Sequence, residues 1–427
     1  MSLLFTDAEL GDGRVVDVRV EGETVSAVDA TLERRPEDEP IDVAGKLLLP
    51  GMVDVHVHFR QPGFPHKETW ATGSRSAAAG GVTTVVDQPN TDPPTVDRDA
   101  FDEKAALAAD SLVDYGLNGG VTADWAPDSL FDRPLFALGE VFLADSTGEM
   151  GIDTALFADA VAAACGRDVP VTVHAEDATL FDESARDRSD ADAWSAYRTA
   201  EAEASAVEQA CSVAADTGGR IHVAHASTPA GIDAADAAGM TCEVTPHHLL
   251  LSRADLEELG THGRMNPPLR SESRREAVFE RVVDGTVDMV ATDHAPHTRA
   301  EKDTDIWSAP SGVPGVETAL PLLLGLAARG EMSYERVREL TATAPAKRFD
   351  LSSKGRIEVG RDADLVVVDP TAAEPVRANR LHTKCDWTPF EGHEAVFPEL
   401  TLVRGEVVYR RATDTFGEPA GKNVRLL

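Results

Sequence analysis

The run Asp54-Val55-His56-Val57-His58-Phe59-Arg60 sets two imidazoles two residues apart at the end of an apolar stretch. In an extended strand residues i and i+2 face the same side, so both rings can reach one metal ion. His174 closes the apolar segment Val169–His174, and His225 closes Ile221–His225. His222, three residues before His225, falls on the opposite face of that strand and is the structural member of the pair. Asp293 directly follows Val287–Thr292, where a carboxylate can hold a metal and also move a proton. Taken singly, each has a bland reading as a core imidazole or a turn aspartate. Jointly, four histidines and one aspartate each end an apolar strand, and imidazole with carboxylate suits Zn²⁺. Two metals held close together need an anionic bridge. Glu140, inside the apolar run of residues 139–143, is the candidate, because a carboxylate there would be costly to bury without metal charge beside it. Asp145, nearer the strand end, is the alternative.

These groups need a scaffold that brings strand ends together. Strand patterns at Leu47–Phe59, Thr83–Gln88, Leu135–Leu143, Val169–His174, Ile221–His225, Thr241–Thr245 and Val287–Thr292 alternate with helical stretches such as Asp153–Cys165, Ala200–Thr217, Ser273–Val283 and Glu317–Arg329. Repeated strand–helix units predict a parallel sheet, and a run of this length predicts a closed (β/α)8 TIM barrel. In such barrels reacting groups sit at the C-terminal ends of the strands. Glu140 falls on the third strand of this series. The chain ends are different: segments such as Val15–Val20, Asp364–Asp369 and Leu402–Tyr409 carry strand pattern without intervening helices. The expected organisation is therefore an α/β chain with residues 1–46 and 351–427 forming one small β-sandwich domain around a barrel of residues 47–350.

Composition narrows the function classes. The 427 residues carry 74 acidic against 40 basic side chains, a formal net charge of -34. Nucleic acid is excluded as a partner, since phosphate contacts need clustered Lys and Arg, and so is an anionic membrane surface. No apolar stretch approaches the ~18 residues that span a bilayer, and no signal peptide is indicated. Four well-separated cysteines without a CxxC pair read as buried free thiols in a reducing cytoplasm. The acid is dispersed and only eight lysines are present, a surface suited to high salt, where screening weakens self-repulsion. Unfolding followed from low to molar salt tests this halophilic reading.

An ordered set of motifs then resembles a known family. Asp-x-His-x-His-Phe-Arg-x-Pro-Gly at 54–63, Pro-Asn-Thr at 89–91, His-Ala-Glu at 174–176, His-Ala-Ser at 225–227, Met-Asn-Pro-Pro-Leu-Arg at 265–270 and Thr-Asp-His-Ala-Pro-His at 292–297 resemble the dihydroorotases of the amidohydrolase superfamily. The resemblance implies reversible cyclisation of N-carbamoyl-L-aspartate to L-dihydroorotate in pyrimidine biosynthesis, with a small-molecule substrate and two zinc ions per subunit. It implies His56, His58 and Asp293 on one metal and His174 and His225 on the other, with Asp293 as catalytic acid and base. Many relatives bridge the metals with a carboxylated lysine. Read backward from Ser146-Thr147, the matching position here is Glu140, a departure from that pattern.

The resemblance further implies substrate contacts from His58, Arg60, Asn90, Asn266, His297 and the backbone around Ser311-Gly312. An arginine suits a substrate carboxylate, which its forked guanidinium can hold with two bonds. On a continued strand Arg60 would share the inward face with His56 and His58. The rival readings are an allantoinase or dihydropyrimidinase, and a non-catalytic homologue serving as an assembly partner. Residues 301–315 are either a lid over the substrate or a solvated connector. The sequence leaves the oligomeric state open, a homo-oligomer included.

Overall fold

The computed structural model describes residues 2–146 and 150–427. Thr147, half of the marker used to place Glu140, lies outside the described residues. Five strands open the chain: β1 (Ser2–Glu9), β2 (Val15–Glu21), β3 (Thr24–Asp29), β4 (Asp38–Asp42) and β5 (Leu47–Pro50). Eight further strands follow: β6 (Met52–Val57), β7 (Val82–Asp87), β8 (Asp114–Leu117), β9 (Leu138–Phe142), β10 (Val171–His174), β11 (Ile221–Val223), β12 (Thr241–Val244) and β13 (Met289–Val290). The chain then returns to β14 (Leu365–Val368), β15 (Glu374–Pro375), β16 (Glu394–Ala395), β17 (Leu400–Val403), β18 (Glu406–Arg410) and β19 (Thr415–Phe416).

The strands β6 to β13 form the barrel. β6, β7 and β8 pair in parallel, as do β9 through β13. Parallel bridges Gly119–Leu138 and Val57–His294 join the two groups into a closed ring. The sequence reading treated Leu47–Phe59 as one strand. Pro50-Gly51 instead divides it: β5 joins the sheet of the chain ends and β6 opens the barrel. β8 was not anticipated, because Asp-Tyr-Gly-Leu has little apolar pattern. Glu140 is therefore on the fourth barrel strand, not the third. The long helix Ala200–Thr217 forms over the residues expected, capped by the Thr199 hydroxyl at its start and by Gly218 in the left-handed conformation at its end. Its inner face is a stripe of Ala206, Val207, Ala210, Cys211 and Ala214, spaced three and four apart, which packs in the barrel core.

The chain ends meet in one nine-stranded sheet, in the order β19-β18-β17-β14-β5-β1-β2-β3 with β4 on β1. A bridge from Thr24 to Asp362, with Val25 N donating to Arg361 O, folds the far edge back toward β14. Strand parity lets this sheet serve two cores. Leu48, Leu365, Val367, Leu400 and Leu402 point into the sheet's own interior, while Leu47, Leu49, Val366, Val368 and Val403 pack on the barrel side. All four cysteines are free; Cys211, Cys242 and Cys385 are buried as expected, but Cys165 is exposed, at the end of its helix. Among the described residues no helix is long and apolar enough to cross a membrane.

Candidate metal centre

Four histidines and two carboxylates from five separate stretches converge at the C-terminal rim of the barrel. His58 Nε2 lies 3.0 Å from Asp293 Oδ1. Glu140 Oε1 lies 2.6 Å from His225 Nε2 and 3.0 Å from His174 Nδ1, and those two nitrogens are 3.1 Å apart. His56 Nε2 faces both halves, 3.4 Å from Glu140 Oε2 and 3.6 Å from Asp293 Oδ1. It is buried and, among the described residues, has no hydrogen-bond partner. The ligand atoms of His56, His58 and Asp293, and those of His56, Glu140 and His225, lie within 4.8 Å of one another in each group. Asp145 is elsewhere: it is exposed, and its carboxylate accepts from Gly151 N at 2.8 Å.

The charge pattern fits a cation. Burial opposes charge on the His174 ring, but Glu140 and Glu176 outweigh it and lift its pKa to about 9. Burial likewise opposes charge on His56, whose pKa Glu140 and Glu243 nonetheless hold well above the usual value. Glu140 stays ionised against its own burial because His56 and His225 face it. Imidazoles that must take up protons to balance buried carboxylates form a site short of positive charge, and a metal ion supplies that charge. Buried imidazole and carboxylate donors are the set that a metal hydrolase uses.

A second layer fixes the rings, and the sequence reading missed most of it. Glu243, inside β12, accepts from His56 Nδ1 at 2.7 Å and from His222 Nε2 at 3.1 Å. This leaves Nε2 as the free nitrogen of His56 and gives His222 its structural place. Glu176 accepts from His174 Nε2 at 2.8 Å and pairs with Arg198 at 2.5 Å, so His174 offers Nδ1. Asp54 accepts from Thr292 N at 3.0 Å and from Thr292 Oγ1 at 2.6 Å, pinning the residue before Asp293 to β6. The available signal was an acid in an otherwise apolar strand, the one that picked out Glu140.

A cavity above the centre is lined by His58, Glu140, His174, His225 and Asp293, and by Arg60, Asn90, Asn266, Ser311 and Gly312. His56 and His297 are not in its lining. Asn90 Oδ1 accepts from His58 Nδ1 at 2.7 Å, and Asn266 Nδ2 donates to Ser146 Oγ at 3.0 Å. His297 sits behind Arg60, its Nε2 3.1 Å from the guanidinium and 2.9 Å from Ser311 O. Arg60 does not arrive by strand alternation: β6 has ended, and Arg60 turns inward at φ 65°. His225 at φ 35° and Asp293 at φ 45° share this left-handed region. Side chains held there cost about 1–3 kcal/mol each and cluster where function fixes them. The Arg60 guanidinium is buried and, among the described residues, has no carboxylate within ion-pair distance. Burial pushes its pKa down to about 10, which leaves it charged at neutral pH.

The profile of the amidohydrolase family matches residues 47–408. The chain is 66% identical over 424 residues to a dihydroorotase of Halobacterium salinarum, covering 99% of each. It is 46% identical over 396 residues to a dihydroorotase of Methanosarcina mazei, covering 87% of this chain and 86% of that one. Among solved structures, an L-hydantoinase (dihydropyrimidinase) from Arthrobacter aurescens superposes with a TM-score of 0.93 at 28% identity, covering 99% of each chain. A dihydropyrimidinase from Brevibacillus agri gives 0.91 at 26%, covering 100% of this chain and 98% of that one.

Proposed function

The chain belongs to the amidohydrolase family, and from that premise we propose that it acts as a dihydroorotase, closing N-carbamoyl-L-aspartate to L-dihydroorotate and water in pyrimidine biosynthesis. It is a hydrolase of cyclic amides and works on a small molecule. The observation that carries the choice of substrate is Arg60: a buried guanidinium in the wall of the cavity over the centre, without a carboxylate partner among the described residues. Substrate and product both carry a carboxylate that would meet it with two hydrogen bonds. Hydantoin and dihydrouracil rings bring no such group.

The family depends on metal. We assign two zinc ions, one to His56, His58 and Asp293, the other to His174 and His225, with Glu140 between them. When bound, zinc polarises the amide carbonyl and lowers the pKa of water. The protein does the rest. In the hydrolytic direction Asp293 takes a proton from the attacking water at a carboxylate oxygen. It then delivers that proton to the ring nitrogen as the C–N bond breaks. Ring closure runs the same transfers backward: the ureido nitrogen attacks the side-chain carboxyl carbon and loses its proton to Asp293, and water leaves. Arg60, Asn90 and Asn266 orient the substrate, and His297 acts from behind Arg60: Lys67 donates to its Nδ1, and its Nε2 donates to the Ser311 carbonyl. The dispersed acid and the 66% identity to a Halobacterium protein support a working environment of high salt, which we place in the cytoplasm.

The test is one assay with three substrates: dihydroorotate, allantoin and dihydrouracil, with and without a chelator. Turnover of dihydroorotate alone, abolished by the chelator and restored by zinc, is expected. Preference for dihydrouracil would replace the proposal with a dihydropyrimidinase, the class of the structural neighbours. No turnover of any of them would favour an assembly partner.

A further inference from the structure

Lys302 is a fully buried lysine for which the chemistry above has no use. It ends the short helix Arg299–Lys302, inside the segment first read as a lid or a connector. Among the described residues no acid lies within ion-pair distance of it, and its ammonium spends its three protons on backbone carbonyls. Nζ donates to Arg264 O at 2.8 Å, to Pro310 O at 2.8 Å and to Gly312 O at 3.0 Å. The Trp387 ring covers it, with its centroid 5.7 Å away. Three acceptors saturate an ammonium, so the burial is satisfied by geometry rather than by an opposing charge.

The three carbonyls belong to two walls of the cavity. One wall is the 264–266 stretch that carries Asn266; the other is the 310–312 stretch, whose Ser311 and Gly312 line the cavity beside Arg60. Other bonds run in the same direction. Gly312 N donates to Arg264 O at 3.0 Å, and Arg264 Nε donates to Ser311 Oγ at 3.2 Å. Ala295 N donates to Val313 O at 2.9 Å, which seats the stretch against the Asp293 loop. Gly312 sits at φ 132°, and a Cβ there would come within 2.5 Å of Ala295 O, so only glycine allows this approach.

We propose that Lys302 is a positioning residue that locks residues 310–312 onto residues 264–266, making the substrate-carboxylate side of the cavity a preformed wall and not a moving lid. This rests on the dihydroorotase reading only for the identity of the ligand. A wall built in advance costs no ordering free energy when substrate binds, so its loss should appear in binding. In Lys302→Met the stem is kept and the three hydrogen bonds are lost. KM for dihydroorotate should rise on the order of ten- to a hundredfold, as the Ser311-Gly312 backbone drifts from its place. Because Lys302 touches none of the metal-centre residues, kcat and bound zinc should stay near wild type.

The experiment is steady-state kinetics of wild type and Lys302→Met, with zinc content and melting temperature measured on the same samples. Hydrogen exchange across 303–313 is followed in the wild type with and without dihydroorotate. Slow exchange at Gly312 before ligand is added, unchanged by ligand, supports a fixed wall. Fast exchange that slows on binding means a lid and overturns the proposal, whether or not the variant folds. An unchanged KM in a folded Lys302→Met also overturns it. Failure of the wild type to turn over dihydroorotate would count against the proposed function, and the exchange result would still decide the wall.

Discussion

Among the described residues, two largely buried clusters containing acids have the spacing of metal ligands, and they solve their charge in opposite ways. At the barrel mouth, Glu140 and Asp293 face four imidazoles, with no lysine or arginine within ion-pair distance among the described residues. Where the third barrel strand meets the sheet, Asp114, Asp362 and Asp364 converge just as closely. There Lys354 Nζ sits among them, 2.5 Å from Asp114, 3.0 Å from Asp362 and 2.7 Å from Asp364, and Arg404 pairs with Asp114 as well. The ammonium already occupies the position a cation would take. Ligand geometry alone therefore does not separate a metal centre from a structural ion network; the balance of fixed charge does. Among the described residues the first cluster has no lysine or arginine and must borrow protons onto imidazoles, whereas the second contains its own ammonium.

Breaking each cluster should expose that difference. Asp293→Asn keeps the shape but cannot carry a proton, so turnover should fall about 10²–10⁴-fold with metal still bound. Near-normal turnover would remove Asp293 from the chemistry. Glu140→Ala should lower bound zinc, measured by elemental analysis, and activity should fall in proportion. Full zinc content would mean that the bridge lies elsewhere. Lys354→Met should do the reverse. It leaves buried carboxylates uncompensated, so the fold should lose about 3–5 kcal/mol in denaturant unfolding while the folded fraction still binds metal. Metal loss from Lys354→Met without loss of stability would erase the distinction between the clusters.

The smallest effect concerns another link between barrel and sheet. His382 donates to Glu317 at 2.7 Å and to Asp414 at 3.0 Å. Burial opposes its charge, but these acids outweigh that and raise its pKa above 6.5. A raised folded-state pKa contributes stability that is complete below the unfolded value and is lost as pH climbs through the folded one. Melting temperature from pH 6 upward should therefore fall more steeply in wild type than in His382→Gln, and parallel curves would show that the ring does not titrate.

How much was legible from sequence follows the same division. His56, His58, His174, His225 and Asp293 stood out because each ends an apolar strand, and strand parity separated His225 from His222. Parity failed for Arg60, whose left-handed backbone has no sequence mark in a non-glycine residue. β8 was invisible because it opens on Asp114, an acid whose partners Lys354 and Arg404 are 240 and 290 positions away. Glu243 and Lys302 went unremarked because their partners come from other strands or are backbone carbonyls, and neither leaves a local pattern. Local spacing reports groups that act along one strand, not those that act across several.

The pairing of β5 with β14 matches Leu47 to Val368 and Pro50 to Leu365. A ribosome releases Leu47–Pro50, with β1 already made on one side, long before it has made the neighbour on the other. Through the synthesis of the whole barrel, that edge stays an unpaired apolar ribbon, of the kind that recruits strands from other chains. A nascent chain stalled near residue 350 would carry a full set of barrel strands and still be sticky. Its yield would then depend on how quickly the remaining residues arrive.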